Sequence, residues 1–442
     1  MGFEMQEHPL RRKLSDELHA RSINEFEGGG RFIRFIFMNE STDETIIKPV
    51  NRFLKKFDAP LITSEEKFKR VEMPSYTLRI ERHTEFVTIG FIVKGEKTQT
   101  GLAEGAFEPE ANETLPFQLI EDIPAKLFHA IWLEIGGKPP KELSPEKVQN
   151  IIKGRSGASS LISGGEAQVH FSFDIDSNGF SRSVLFNNAI PSSRLGRIVM
   201  RMVELETYRM LALLGLPTAT QYINQLRQIE QKLSDLTHEL TVHISSGNEE
   251  VQGLLPELSQ MAAKIEQIAA DTSYRLAATM AYRDIFLSRL EALRISMLDG
   301  HQGLKGFLDR RMMPAMQTCV AFGERLANLS ERIARAGSLL RTQTETNIQR
   351  QNRDLLTSMN RRAKAQLRLQ QTVEGLSVAA VTYYGVGLVG HVAKALPLQT
   401  WGLDFFLFKA LAVPLVALLV WMFLRQVKKS MRHLDELKSS AK

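Results

Sequence analysis

Three hydrophobic patterns follow one another along this chain, and each is typical of a different kind of structure. Up to about residue 190, apolar residues form short, partly alternating runs rich in Ile, Phe and Val, as at 31–38, which is typical of strands. From residue 193 they recur every three or four residues, which indicates helices. Towards the C-terminus they form two nearly uncharged runs. The chain therefore predicts an α+β domain over 1–190, then a long helical region, then an apolar terminal hairpin.

Turn and breaker residues divide the first domain further. Residues 167–174 and 180–186 predict a hairpin around Asp176-Ser-Asn-Gly179, because this tetrapeptide favours a tight turn. The stretch 124–135 is interpreted as a helix. The Ser- and Gly-rich stretch 156–165 is interpreted as a loop.

The helical region predicts a bundle over 193–298 and a long stalk helix over 303–374. Around Leu326 the stalk spaces its apolar residues as a coiled coil does, whereas 341–353 is nearly all polar. A helix of about 60 residues spans about 90 Å. Such a helix is not stable alone, so we expect it to pack in a bundle or with further copies of the chain. The polar stretch either lines a wet interior or forms a solvated face, and the solvated face is favoured.

The two apolar runs predict transmembrane helices at 375–395 and 404–425. Residues 375–393 contain no Asp, Glu, Lys or Arg, and Lys409 is the one charge within 405–424. Each run approaches the roughly 20 residues that cross the hydrocarbon core as a helix. Basic residues flank the pair on both outer sides: Arg361, Arg362, Lys364, Arg368, Arg425, Lys428, Lys429 and Arg432. Since such residues stay in the cytoplasm, both ends of the hairpin, including a basic tail at 426–442, are expected there.

Polar and small residues in the first apolar run admit two interpretations. A stripe of small residues lets helices approach closely, and this packing role is favoured. The alternative is a pore, lined by the polar residues of another face, with Glu374 at its cytoplasmic mouth. Lys409 either extends to the headgroups, which is favoured, or serves a pore. The candidate residues for packing or a pore are Glu374, Gly375, Ser377, Ala379, Thr382, Tyr384, Gly387, Gly390, His391 and Lys409.

Composition excludes several classes of protein. The net charge of +6 is modest for 442 residues, and the basic flanks of the apolar runs explain it without nucleic acid. No nucleic-acid-binding motif is present, so no nucleic-acid partner is expected, and no motif requires a cofactor. The single cysteine, Cys319, excludes an intramolecular disulfide, and its apolar neighbours indicate a buried thiol. The N-terminus has no apolar run that would predict a secretory signal.

One polar cluster in the first domain is a candidate for chemistry. Within 76–95, which predicts a hairpin or one long bent strand, Glu81, His83 and Glu85 alternate. Alternate residues of a strand share a face, so these three could bind a metal ion or transfer protons. An internal salt-bridge cluster or an exposed polar face is the favoured interpretation.

Four stretches of the chain resemble a known family: HPLRRKLSDELHARS (8–22), ERHTEFVTIGF (81–91), SRLGRIVMRMVELETYRMLALLGLP (193–217) and 355–390. Nearly the whole chain is similar to the bacterial membrane-anchored proteins of domain-of-unknown-function family 3422. Ser22 departs from the proline expected there. The resemblance implies a C-terminal anchor in the bacterial cytoplasmic membrane and does not point to a reaction. More loosely, the layout resembles CorA-type magnesium channels, which are pentamers, but their Gly-Met-Asn signature is absent.

These observations favour a membrane-anchored, homo-oligomeric scaffold or interaction protein that faces the cytoplasm and is not an enzyme. Its expected partners are the lipid bilayer and further copies of the chain. The alternative is an oligomeric ion channel or transporter of CorA-like layout. A second alternative is a membrane-tethered, metal-dependent enzyme that uses Glu81, His83 and Glu85.

Overall fold

The computed structural model describes residues 8, 10–12, 26, 29–39, 44–95, 101–102, 105–109, 114–141, 143–152, 157–246, 253–395 and 405–439. The chain divides into two compact units, one of residues 1–246 with 253–337 and the other of residues 247–252 with 338–442. An N-terminal α+β sheet domain is followed by a long helical region, as the hydrophobic pattern predicted.

A mixed eight-stranded sheet organises the first unit. Its strand order is β2-β3-β4-β1-β5-β8-β7-β6, and its neighbours are antiparallel except for the parallel pair β5 and β8. The strands are β1 Gly30–Met38, β2 Phe68–Glu72, β3 Thr77–Arg82, β4 Phe86–Lys94, β5 Leu127–Gly136, β6 Ala158–Ile162, β7 Ala167–Ile175 and β8 Ser181–Asn187.

Both faces of the central strands are buried. One face of β1, with Ile33 and Phe35, belongs to a hydrophobic core with the short helices α1 (Glu44–Lys56), α2 (Phe117–Glu121) and α3 (Pro145–Ile152). The opposite face, with Phe32 and Ile36, is equally buried and lies against the helix α4, Ser192–Ala212. Double burial explains why the central strands show continuous apolar runs.

The same double burial explains a wrong prediction. Residues 124–135, interpreted as a helix, form most of strand β5. Trp132 faces the hydrophobic core while Ile131 and Leu133 face α4, so apolar residues occupy both sides and the alternation of a strand is lost. The resulting dense apolar run has no period that distinguishes it from a buried helix.

The loop predicted at 156–165 is wrong in part, because residues 158–162 form strand β6. Ser159 and Ser160 point inward and are buried; the Ser159 hydroxyl lies 2.8 Å from Nδ1 of His170, and that of Ser160 accepts the N–H of Leu304 at 2.9 Å. The hairpin of β7 and β8 is confirmed. Its turn is closed by Asp176, whose carboxylate accepts the N–H groups of Asn178 and Phe180 at 2.8 Å each.

The helical region begins as predicted. After α4 come α5 (Gly215–Ser246) and α6 (Leu254–Ala292), and both α4 and α5 pack against α6. The predicted bundle ended at residue 298, but α6 ends at Ala292. Residues beyond it run along β6, where Leu161 and Ser296 form an antiparallel bridge. A strand-like contact therefore ends the helix earlier than its apolar spacing indicated.

The predicted stalk is divided near its start. A short helix, α7 (Leu304–Arg311), precedes the long helix α8, Met313–Ala395, so the long helix begins ten residues later than 303. Pro314 lies in the first turn of α8, where its missing N–H has no helical acceptor to lose. Leu326, Leu329, Ile333 and Ala336 are all buried, as their spacing predicted.

Two helices make up the described C-terminal unit beyond residue 338: the remainder of α8 and α9, Phe405–Ser439. Residues 426–439, predicted as a tail, continue α9. One described helix is long and apolar enough to cross a membrane; its best window lies within residues 304–392, has a mean hydropathy of 1.3 and contains no buried residue. In α9 the corresponding run, Ala410–Phe423, is shorter. Residues 396–404, which include most of the predicted connection, lie outside the described residues.

Candidate functional site

The three residues singled out on the 76–95 segment do not form one cluster. This segment is a hairpin of β3 and β4, in which Glu81 lies on β3, one residue before its end, while His83 and Glu85 lie in the connection. Glu81 and Glu85 have different partners. Among the residues that the structure describes, no group of three or more His, Cys, Asp or Glu could hold a metal ion.

Glu81 is held by arginines of the sheet. Its Oε1 accepts Nε of Arg79 at 2.5 Å and lies 3.4 Å from Arg34, while Oε2 lies 3.5 Å from His83. Burial alone would raise the pKa of the Glu81 carboxyl. The charges of Arg34 and Arg79, together with hydrogen bonds from His83 and Arg79, hold that pKa well below its usual range. A carboxylate held ionised in this way suits an internal ion pair better than proton transfer.

Glu85 links the β3–β4 connection to α6 through a hydrogen bond and an ion pair. Its carboxylate accepts the hydroxyl of Tyr282 at 2.6 Å and lies 2.9 Å from the guanidinium of Arg275. Tyr282 also contacts Phe86 at a ring distance of 6.1 Å. The arrangement favours the structural interpretation of Glu85, because both partners come from a helix that packs on the domain.

A deeper polar centre joins the sheet to α4. The Glu206 carboxylate is almost fully buried and accepts the Ser181 hydroxyl at 2.7 Å and the Arg209 guanidinium at 2.6 and 2.8 Å. Nε2 of His129 lies 3.4 Å away. Burial alone would raise the pKa of Glu206, but the charge and hydrogen bonds of Arg209, with His129, hold it well below its usual range. Glu206 and Arg209 are three residues apart on one helix, a spacing that favours an ion pair, whereas no local pattern connects Ser181 and His129 to them.

Glu134 is a second fully buried carboxylate, on the other face of the sheet. It lies 3.3 Å from Nε of Arg31 and accepts Nε1 of Trp132 at 2.7 Å. Burial raises the pKa of the Glu134 carboxyl to about 7, against the opposing charge of Arg31 and the hydrogen bonds of Trp132 and Phe107. Such a pKa suits acid–base chemistry, but Glu134 is 0% exposed, so a substrate cannot reach it.

A groove on the C-terminal unit brings several of the packing and pore candidates together. It has a volume of about 740 Å³, and Val413 of α9 forms part of its wall. The candidates that line it are Ala379, Thr382, Tyr384, Gly387 and His391. The groove therefore combines Ala379 and Thr382 of the small-residue stripe with Tyr384 and His391 of the polar face. Glu374, Gly375, Ser377 and Gly390 do not line it, and the side chain of Lys409 lies outside the described part of the chain.

Close packing of α8 on α9 occurs at a glycine that the predicted stripe did not include. A Cβ at Gly385 would lie 2.9 Å from Cγ1 of Val416, whereas one at Gly375 would meet no atom within 4 Å. Two polar side chains of the groove form hydrogen bonds within α8. The Thr382 hydroxyl donates to the carbonyl of Val378 at 2.7 Å, and Nδ1 of His391 bonds to the carbonyl of Gly387 at 2.8 Å.

Comparison with known proteins places nearly the whole chain in one family. The model of the family described as protein of unknown function (DUF3422) matches residues 6–431. The chain belongs to this family. The match confirms the resemblance that the quoted stretches indicated and includes residues of both units. A CorA-like likeness was not found, and no curated protein matches the chain.

The family match includes Cys319, which lies on α8 within the first unit. Its side chain is buried, and burial raises the pKa of its thiol. A protonated, inaccessible thiol is a poor nucleophile, so the interpretation of Cys319 as a buried apolar residue agrees with its surroundings.

Proposed function

We propose that this chain is a membrane-anchored, homo-oligomeric scaffold that faces the bacterial cytoplasm. The observation that carries the proposal is the exposure of residues 348–373 of α8. Every residue of this segment is exposed in the single chain, although large apolar side chains recur along it. Leu355 and Met359 are 61% and 65% exposed. Large apolar side chains left in water at this density mark a surface that associates with another molecule.

The segment places most of its apolar residues on one side and most of its cationic residues on the opposite side. At 3.6 residues per turn, its main apolar residues fall within an arc of about 120°. They are Ile348, Leu355, Leu356, Met359, Ala363, Leu367 and Val373, which we call the apolar stripe; Leu369 lies about 40° beyond its edge. Five cations, Arg350, Arg353, Arg361, Lys364 and Arg368, fall within an arc of about 80° on the other side, whereas Arg362 lies about 20° beyond the edge of the apolar stripe. We call these five residues the cationic arc.

A second copy of the chain is the partner that fits the apolar stripe. A helix of about 26 residues spans about 39 Å and is marginal in water without tertiary packing. When copies associate in parallel, each stripe covers its counterpart, and the cationic arcs remain apart in solvent. Asn352, Gln366 and Gln370 share the apolar side. Polar residues at such positions specify the register and the number of helices at a cost in stability.

The membrane anchor is the second element of the proposal. The uncharged run 375–393 and the run 405–424 expose large side chains such as Leu376 and Phe406, which are 74% and 80% exposed. The bilayer covers such surfaces. The basic residues before 375 and after 424 favour a cytoplasmic position for both outer ends of the pair. Close packing at Gly385 supports a hairpin of the two helices.

Ion conduction is less well supported than a scaffold. The groove candidates Thr382 and His391 form hydrogen bonds to carbonyls of their own helix, so neither side chain needs a water-filled pore.

Fractionation of bacterial membranes tests the anchor. We expect the full chain to stay in the membrane pellet after an alkaline carbonate wash, since two apolar helices are not released by the loss of electrostatic contacts. A C-terminal epitope should be digested by protease in inside-out vesicles and protected in right-side-out vesicles. Release of the full chain by carbonate, or protection of the epitope in inside-out vesicles only, would contradict the proposal.

A further inference from the structure

Two histidines that are distant in sequence face each other beside the edge of the sheet. His170 lies on β7, and His301 lies in the connection between α6 and α7. Their ring centres are 6.1 Å apart, and the ring planes meet at 57°. His170 is 1% exposed, and Phe186 covers another side of its ring at 5.7 Å. His170 is therefore enclosed by the domain, whereas His301 is partly exposed.

Each ring is oriented through one nitrogen. Nδ1 of His170 lies 2.8 Å from the Ser159 hydroxyl, and Nδ1 of His301 lies 3.0 Å from the carbonyl of Asp299. Since a carbonyl only accepts, His301 carries its proton on Nδ1 and presents a lone pair on Nε2. Both Nε2 atoms are buried, and neither has a hydrogen-bonding partner among the residues that the structure describes. A buried polar atom without a partner is costly.

Orientation of each ring through Nδ1, with Nε2 left without a partner, is a feature that metal-binding histidines share. A histidine that binds a metal through one nitrogen usually donates the other N–H to a carbonyl, carboxylate or water, which orients the ring. Two imidazoles at about 2.0–2.1 Å from one zinc ion hold their ring centres about 5–6 Å apart. Burial, with a smaller contribution from His301, lowers the pKa of His170 to about 3, so that ring is neutral at physiological pH and able to bind a metal.

We propose that Nε2 of His170 and Nε2 of His301 bind one divalent transition-metal ion of the zinc class. Water completes its coordination, since no third His, Cys, Asp or Glu joins the pair among the described residues. Imidazole ligands favour zinc, copper and nickel, whereas magnesium prefers oxygen ligands. The site is separate from Glu81, His83 and Glu85.

The ion would link the connection between α6 and α7 to strand β7. This connection already bonds to β6: the Ser159 N–H donates to the carbonyl of Gln302 at 2.8 Å, and Ser296 donates to Leu161 at 2.9 Å. A metal ion held by β7 and by the same connection would join them across the sheet edge. Metal binding should therefore raise the unfolding temperature of the chain, because the unfolded chain does not hold the two rings together.

The test is zinc titration of the full chain, purified in detergent without a histidine tag and stripped with a chelator. We expect a saturable calorimetric site of one zinc per chain, a rise in unfolding temperature with zinc, and neither effect with magnesium. His301→Gln, in a partly exposed connection, and His170→Asn should each weaken zinc binding at least tenfold and remove the thermal shift. Circular dichroism without metal checks that both variants fold.

His238→Gln is the matched control, because His238 is exposed on α5 and distant in sequence from the pair. This variant should bind zinc as the unchanged chain does. If the unchanged chain shows no saturable zinc binding, the proposal is overturned. It is equally overturned if folded His301→Gln and His170→Asn both keep the affinity and the thermal shift.

Discussion

Replacing Leu355 and Met359 together by lysine is expected to convert the detergent-solubilised chain from an oligomer to a monomer. Both side chains belong to the apolar stripe and are mostly exposed in the single chain. Burying one such side chain contributes about 1.5–3 kcal/mol, and every copy in the assembly would lose both contributions. Two lysines per copy would also bring like charges together in the seam. Multi-angle light scattering of the protein–detergent complex measures the change in mass.

The chain offers a matched control for this double variant. Thr357 and Gln371 lie on the side of the cationic arc, so Thr357→Lys with Gln371→Lys adds the same charge without entering the seam. We expect this control to keep the oligomeric mass. If both double variants were monomers, the added charge alone would explain the loss of assembly. If both kept the oligomeric mass, neither side of the helix would be needed for it. Either result would contradict a role of the apolar stripe in assembly.

Replacing Glu206 by Gln is expected to destabilise the sheet domain by about 3–5 kcal/mol, because removal of one partner leaves a buried charge without compensation. Arg209 would lose the carboxylate that its guanidinium contacts at 2.6 and 2.8 Å. Urea denaturation followed by tryptophan fluorescence measures the loss, since Trp132 is fully buried in the same domain. The sign of the pH dependence follows from the lowered pKa. The stabilising contribution of Glu206 is complete above the pKa of an unfolded glutamate and is lost as the pH falls towards its lower folded value.

A surface ion pair provides the comparison for Glu206. Glu331 and Arg335 lie one turn apart on α8 at 2.9 Å, and both side chains are more than half exposed. Glu331→Gln should change the stability by less than about 1 kcal/mol. If Glu206→Gln were as mild as Glu331→Gln, the centre formed with Ser181 and Arg209 would not hold α4 on the sheet.

The sequence predicted elements well where one side of an element faces solvent. The helical stripe of α4 and the turn at Asp176 were both recognised, because each leaves a local signal of period or turn chemistry. Strand β5 was not, since burial on both faces removes the alternation on which the prediction of a strand depends. Strand β6 was missed because serines are typical of loops. Here their buried hydroxyls contact His170 and the backbone of Leu304, and the sequence does not show these contacts.

Polar centres were harder to predict than elements, because their members come from distant parts of the chain. Glu81 and Glu85 are close in sequence, yet one bonds to arginines of the sheet and the other to residues of α6. Conversely, His170 and His301 meet although 130 positions separate them, and no local pattern connects them. Side-chain alternation identifies residues that share a face, but the partners across that face depend on the tertiary fold.

Cysteine cross-linking in native membranes tests the central claim most directly. The chain has one natural cysteine, Cys319, which is buried, so an introduced cysteine dominates the reaction. In a parallel assembly along the apolar stripe, Leu355→Cys should form a disulfide-linked dimer under mild oxidation, whereas Lys364→Cys, on the cationic arc, should remain monomeric. Absence of the dimer at Leu355→Cys, or an equal dimer fraction at Lys364→Cys, would contradict a homo-oligomer assembled through this helix.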